Sequence, residues 1–257
     1  MTSVLLFAGS VRRGAFSRRL AAAAGLAVAR YGGKPTMIDL ADYEAPLYNA
    51  DIEDSDGIPQ GVLDFRRLVA THDALCLAKP EYNGGMTPIL LNMFCWASRP
   101  SPTDDFGAVF QGKPVALMAS SSRRLGGVRV IPRLRDAVCE LGMVPVPGFA
   151  SVGNAAQAFS ENGDLGDEQL AQGLNGLVQH LVNCAGSACQ PQSGRDLTSR
   201  TDHPDQKAQS DQNTGPNQKC HPNQKVCCAT GLQLPVKVFS LRNCTCLLYT
   251  SPSPRDA

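Results

Sequence analysis

Three polar stretches carry the residue types that hold anions and flat rings. The first, Gly9-Ser10-Val11-Arg12-Arg13-Gly14-Ala15-Phe16-Ser17, joins the apolar run VLLFAG (4–9) to an Ala- and Leu-rich stretch. It supplies hydroxyls at Ser10 and Ser17, a guanidinium at Arg12 or Arg13, and backbone N–H groups where a helix begins. That set suits a phosphate monoester, which takes several donors in a positive field. It equally suits a capped helix start with solvated arginines, and the loop alone does not separate the two. It is neither G-x-G-x-x-G nor G-x-x-x-x-G-K-[ST].

The second stretch is KPEYNGGMTP (79–88). Pro80 fixes the chain, Glu81-Tyr82-Asn83 present polar and aromatic groups, and Gly84-Gly85 permit close backbone approach. A flat heterocycle could lie against this loop and take backbone hydrogen bonds at its edge; an ordinary turn with Tyr82 on the surface is the plainer reading. The third stretch, SSSRRLGGVR (120–129), combines hydroxyls, two arginines and a Gly-Gly entry to a helix. Arg123 and Arg124 could meet an anionic second substrate or stand as a solvated pair.

Alternating strands and helices must position these loops. Short apolar runs at 4–9, 35–40, 74–79, 113–120 and 143–149 read as five strands, the last pushed to a sheet edge by Pro145 and Pro147. Helical spacing is read over 16–31, 60–72, 88–97, 127–141 and 167–182, and 43–59 reads as loop. Five successive βα units predict a doubly wound parallel sheet between two helical layers, an α/β fold. Ligands of such sheets bind beyond the carboxyl ends of the strands, where all three polar loops fall.

The segments GSVRRGAFS, PEYNGGMTPILLNMFCW and LGGVRVIPRLRDAVCELG resemble the NAD(P)H-dependent FMN reductases, a flavodoxin-like family that includes quinone and chromate reductases. The resemblance covers about residues 3–182. It implies a flavodoxin-like three-layer sandwich with a phosphate loop at Ser10, Arg12, Ala15, Phe16 and Ser17. It places the flavin-ring loop at Pro80, Glu81, Tyr82 and Asn83, and a further contact at Ser120. It implies FMN as cofactor, NADPH or NADH as co-substrate, and a homodimer or homotetramer. Asn92 and Trp96 match the helix after the flavin loop; Trp96 reads as core or dimer interface rather than cofactor contact. The chain departs from the family where Ala15 and Ser17 replace a usual Ser and Asn, which removes one phosphate donor and shortens another. Leu91, Cys95 and Arg123 also depart, which puts the usual assembly and the shape of the substrate entrance in question.

Hydride transfer would then belong to the flavin, with no protein acid or base required and no catalytic residue assigned. Acceptors would be quinones, free flavin or similar small molecules. Two other readings compete: a non-enzymatic flavodoxin-like electron carrier, and an FMN-binding regulatory module that does not turn over. The basic SVRRGAFSRR argues against the first; Ala15 and Arg123 are the only support for the second.

Bulk composition bounds the rest. The chain of 257 residues has a net charge of +1, which gives no electrostatic case for nucleic acid or membrane surfaces. No apolar run reaches the roughly 20 residues of a membrane span, and no signal peptide is read at Met1-Thr2-Ser3, so a cytoplasmic location is expected. Residues 1–183 hold Cys76, Cys95 and Cys139 in apolar stretches, where small buried hydrophobes are expected. Residues 184–257 hold the other seven cysteines and are rich in Gln, Asn, Pro, Ser and Lys, which reads as a low-complexity disordered tail. Its cysteine spacings fit no ordinary zinc pair, and no metal site is assigned. Its end, CLLYTSPSPRDA, resembles adapter-derived peptides of machine-translated transcripts, so the segment is read as translated non-coding sequence. The expected organisation is a reductase domain over 1–183 and this tail over 184–257.

Overall fold

The computed structural model of the protein describes residues 1–101, 105 and 107–188. Most of the tail expected over 184–257 lies outside the described residues. Strand β1 (Ser3–Ala8) leads into helix α1 (Phe16–Arg30), β2 (Lys34–Ile38), α2 (Ala50–Asp56) and α3 (Gln60–Thr71). Then come β3 (Ala74–Pro80), α4 (Pro88–Ala97), β4 (Pro114–Ser120), α5 (Val130–Glu140), β5 (Val144–Pro145), β6 (Ala150–Val152) and α6 (Glu168–Ala188).

The strands run parallel in the order β2-β1-β3-β4-β5, with β6 also paired to β4. The strand expected over 143–149 forms only at Val144–Pro145, and a second short strand, β6, follows beyond its expected end on the same sheet edge. β5 pairs with Pro114 and Val115, and β6 with Met118 to Ser120. The break between them holds Pro147, which has no N–H to donate, and Gly148, whose φ is +84°. Strands β1, β3 and β4 are buried on both faces, as their unbroken apolar runs require, and β4 has no exposed residue, whereas the edge strand β2 leaves Lys34, Pro35 and Met37 exposed.

Alternation along β1 and β3 feeds two cores. Val4, Leu6, Ala74, Cys76 and Ala78 face α1 and α6, while Leu5, Phe7, Leu75 and Leu77 face α3, α4 and α5. The stripe Ala21, Ala23, Ala24 and Ala27 is fully buried and lets α1 lie close on the sheet. On the other face Phe7 and Phe65 meet edge to face at 5.4 Å.

Several expectations change. The segment 43–59 is not all loop, because α2 forms within it. Asn49 caps that helix by accepting from the Asp51 N–H at 3.0 Å, and Asp51 and Glu53 sit in its first turn, where acidic groups complement the helix dipole. It buries no residue, so it had no apolar stripe to find. The last helix runs to Ala188, past the expected end at residue 182. Of the three cysteines, Cys76 is buried, and burial pushes its thiol up to about 12. Cys95 is half-buried and Cys139 is exposed, since it falls on the outer face of α5. Trp96 is wholly buried, and its Nε1–H donates to the Pro46 carbonyl at 2.8 Å, so it is core. No described helix is long and apolar enough to cross a membrane.

Candidate functional site

The loops that follow β1, β3 and β4 meet at the carboxyl edge of the sheet. They enclose a cleft of about 170 Å³ lined by Ser10, Arg12, Ala15, Phe16, Ser17, Pro80, Glu81, Tyr82 and Ser120 to Ser122. Nine of the ten residues singled out from the sequence line this one space. The tenth, Asn83, lines an adjoining cavity of about 660 Å³ that shares Glu81, Ser121 and Ser122 with the cleft.

The first loop turns at Gly14, where φ is +68°, and the Ala15 N–H donates to the Arg12 carbonyl at 3.1 Å. Ala15 occupies the N-cap of α1, and no side chain caps the helix. Its first-turn N–H groups therefore face the cleft without the side-chain acceptor that a Ser or Asp would bring. Ser10 Oγ accepts from the Arg12 N–H at 3.3 Å. Ser17 is almost fully buried, and its hydroxyl has no hydrogen-bond partner; the same holds for Ser120 at the end of β4. Buried hydroxyls left unpaired cost stability, typically about 1–3 kcal/mol each. Two of them lining one cleft, beside an uncapped helix start and Arg12, form a donor set that lacks only an acceptor. A phosphate and a heterocycle edge supply such acceptors, so the residues present fit a flavin mononucleotide.

The second loop is tied down by the protein itself. The Tyr82 N–H donates to the Gly85 carbonyl at 3.3 Å and the Gly85 N–H returns to the Tyr82 carbonyl at 2.8 Å. Asn83 takes the left-handed backbone this turn needs, with φ +52°. Beneath it lies Lys79, which has no exposed surface and whose ammonium donates to the Gly85 carbonyl at 3.2 Å. Burial lowers Lys79 to about 7, partly opposed by the nearby Glu81 carboxylate. Glu81 is itself nearly buried and pairs with Arg129 at the start of α5. Tyr82 remains about half exposed at the mouth of the cleft.

The third loop is closed by a close approach. A Cβ on Gly126 would sit 2.5 Å from Ser151 Oγ and 2.8 Å from the Gly153 nitrogen, at a φ of +61°. Only glycine lets this loop fold back on β6. The Ser121 N–H donates to the Val152 carbonyl at 3.0 Å, and Ser121 Oγ accepts from the Arg123 N–H at 3.1 Å. Sequence reasoning passed over Arg133, which lies within the helix read over 127–141, and gave no separate role to Lys79 or Ser122 within the second and third stretches; the fold brings all three to the site. Asn92, matched to the family helix, serves structure instead. Its Nδ2 donates to the Pro46 carbonyl at 2.9 Å and its Oδ1 accepts from the Tyr48 N–H at 2.8 Å.

Known proteins resemble the chain over most of its described length. The family model for NADPH-dependent FMN reductase matches residues 2–157. An NAD(P)H-dependent FMN reductase of Pseudomonas aeruginosa is 35% identical over 182 residues, which cover 69% of this chain and 92% of that one. A 2-hydroxy-1,4-benzoquinone reductase of Burkholderia is 34% identical over 142 residues, covering 55% of this chain and 72% of its own. Among solved structures, a flavoenzyme NAD(P)H:acceptor oxidoreductase from Paracoccus denitrificans superposes with a TM-score of 0.61 at 23% identity. That match covers 73% of this chain and 98% of the other, and it shows the shared flavodoxin-like fold.

Proposed function

The chain belongs to the NADPH-dependent FMN reductase family, and from that premise we propose that it holds FMN in the three-loop cleft and passes electrons from NAD(P)H to quinones or similar acceptors. It is an NAD(P)H-dependent flavin oxidoreductase. The observation that carries the assignment of the cleft is the pair of buried, unpaired hydroxyls at Ser17 and Ser120 lining it beside an uncapped helix.

Ser10, Arg12, Ser17 and the backbone at Ala15 and Phe16 would hold the phosphate. Pro80, Glu81, Tyr82 and Asn83 would frame the ring, and Ser120 would donate to its edge. When bound, the flavin accepts a hydride and delivers the electrons onward. The chain's own residues bind, orient and leave one side open: Tyr82 stands at the mouth, and the Glu81–Arg129 pair keeps its loop in place. No side chain in the cleft is required as a proton donor. Quinones fit as acceptors because a curated relative at 34% identity is a benzoquinone reductase. A cytoplasmic homodimer or homotetramer completes the proposal. The apolar groove of about 460 Å³ between 40–46 and α4, with Leu91 exposed nearby, is compatible with such an assembly, and light scattering of the purified protein tests it.

The deciding experiment is the visible spectrum of the purified full chain after loading with FMN. Flavin bands that bleach with anaerobic NADPH and return with a benzoquinone are expected. Bands that do not bleach would point to an electron carrier. A folded chain that takes up no flavin would overturn the cleft assignment.

A further inference from the structure

The cavity beside the cleft is larger than the cleft and differently lined. Its walls are Glu81, Asn83, Gly84, Ser121, Ser122, Arg123, Leu125, Gly127, Arg129 and Arg133, enclosing about 660 Å³. Leu125 is its one large apolar side chain. A flat apolar acceptor would gain little from these walls, whereas a polyanion would find hydroxyls, an amide and three guanidinium groups.

The three arginines are not equivalent. Arg129 pairs with Glu81, the cavity's only carboxylate, so its charge is largely spoken for. Arg123 and Arg133 make no ion pair among the described residues. Arg133 stands one turn along α5 and leans over the ring loop: a Cβ on Gly84 would come within 3.1 Å of its Nη1. Gly84 has a φ of +70°, so the turn both bends there and clears room for the guanidinium. Arg123 stands across the cavity on the loop after β4, its backbone held by Ser121 Oγ and by the Asn154 and Gly126 N–H groups that donate to its carbonyl. Arg124 does not line the cavity at all, although the sequence offers it as Arg123's twin.

We propose that Arg123 and Arg133 form a phosphate-binding subsite that receives the phosphate groups of the reduced nicotinamide dinucleotide while its nicotinamide enters the adjoining cleft. The inference rests on the cleft being the flavin site and goes beyond it by naming the residues that select the hydride donor. Two guanidiniums facing one cavity suit phosphate geometry, since each offers a planar fork of donors. Ser121 and Ser122 border both spaces and mark the path between them.

The test uses the full-length, FMN-loaded protein and the variants Arg123→Gln, Arg133→Gln and the double variant. The arginines are exposed, so each phosphate contact is worth about fivefold in affinity rather than the more expected of buried pairs. Each single variant is expected to raise the KM for NADPH about fivefold, and the double variant about twentyfold. The kcat at saturating NADPH and the KM for a benzoquinone should hold. Calorimetry of NADP⁺ binding should show the same losses, and Arg133→Lys should recover part of them. A loss confined to NADPH places the 2′-phosphate in the subsite; an equal loss with NADH places the pyrophosphate there, and both support the proposal. Unchanged NADP⁺ affinity and NADPH KM in the double variant would overturn it, as would a rise in the quinone KM alone. Failure of the flavin assignment would be seen separately, as a chain that takes up no FMN before any nucleotide is added.

Discussion

The loops after β1 and β3 face each other across the cleft and are built on opposite principles. The β3 loop is closed by its own contacts: a two-way backbone bridge between Tyr82 and Gly85, an ammonium beneath it from Lys79, and an ion pair from Glu81 to Arg129. The β1 loop leaves its groups unspent, with Ala15 at an uncapped helix start and a buried Ser17 hydroxyl that donates to nothing. A loop that must present a flat ring with one face open gains from being rigid beforehand. A loop that must take a doubly charged phosphate gains from donors that no protein group already satisfies.

That contrast can be broken from either side. The largest effect is expected at Lys79. Its folded value of about 7 lies well below the ordinary 10.5, so between those two values the unfolded chain holds a proton that the folded chain lacks. Stability from this group therefore rises with pH across that window, and the full cost of the buried charge is present below pH 7. Lys79→Met should abolish the rise. The stability difference between wild type and variant, from urea melts at pH 7 and pH 10, should change by about 3 kcal/mol; a constant difference would mean that Lys79 does not titrate there. FMN should also bind the variant more weakly, because the Gly85 carbonyl loses one of its two donors and the loop loosens.

Next in size is Ser17→Ala. Loss of a donor to phosphate should weaken FMN binding about thirtyfold, roughly 2 kcal/mol, measured by fluorescence titration. The flavin-free protein should lose no stability, since the deleted hydroxyl had no partner to give up. A drop in apoprotein melting temperature would show that Ser17 is structural. Ser10→Ala sharpens the point: that hydroxyl already accepts from the Arg12 N–H, and its removal should weaken FMN about threefold while slightly loosening the loop. A small effect of opposite sign is expected from Ala15→Ser, which supplies the missing cap. It should stabilise the apoprotein by about 1 kcal/mol in urea denaturation.

The helix after the ring loop shows how legible some of this was. Pro88 at the first turn and the run to Ala97 allowed its limits to be read directly, because proline and apolar periodicity are local signals. The residues that line the cleft were legible for a different reason: their types and order resemble a known family, and the strand pattern puts all three loops at one edge. Helix α2 was missed because it buries nothing and so carries no stripe. Cys139 was misread because an apolar neighbourhood in sequence says nothing about which side of a helix a residue takes.

The amino-acid sequence by itself determined the parallel α/β order, the carboxyl-edge position of the loops and the identity of nearly every group that lines the cleft. The first two follow from period and turn chemistry, which are properties of neighbours along the chain, and the third from the resemblance of those stretches to a known family. The tertiary structure alone decided which charges are free. Glu81 takes Arg129 and leaves Arg123 and Arg133 to the cavity, and Arg124, adjacent to Arg123 in sequence, points elsewhere. It alone buried Lys79 under the ring loop and left Ser17 and Ser120 without partners. Pairing and burial depend on distances between residues forty or more positions apart, and no local pattern encodes them.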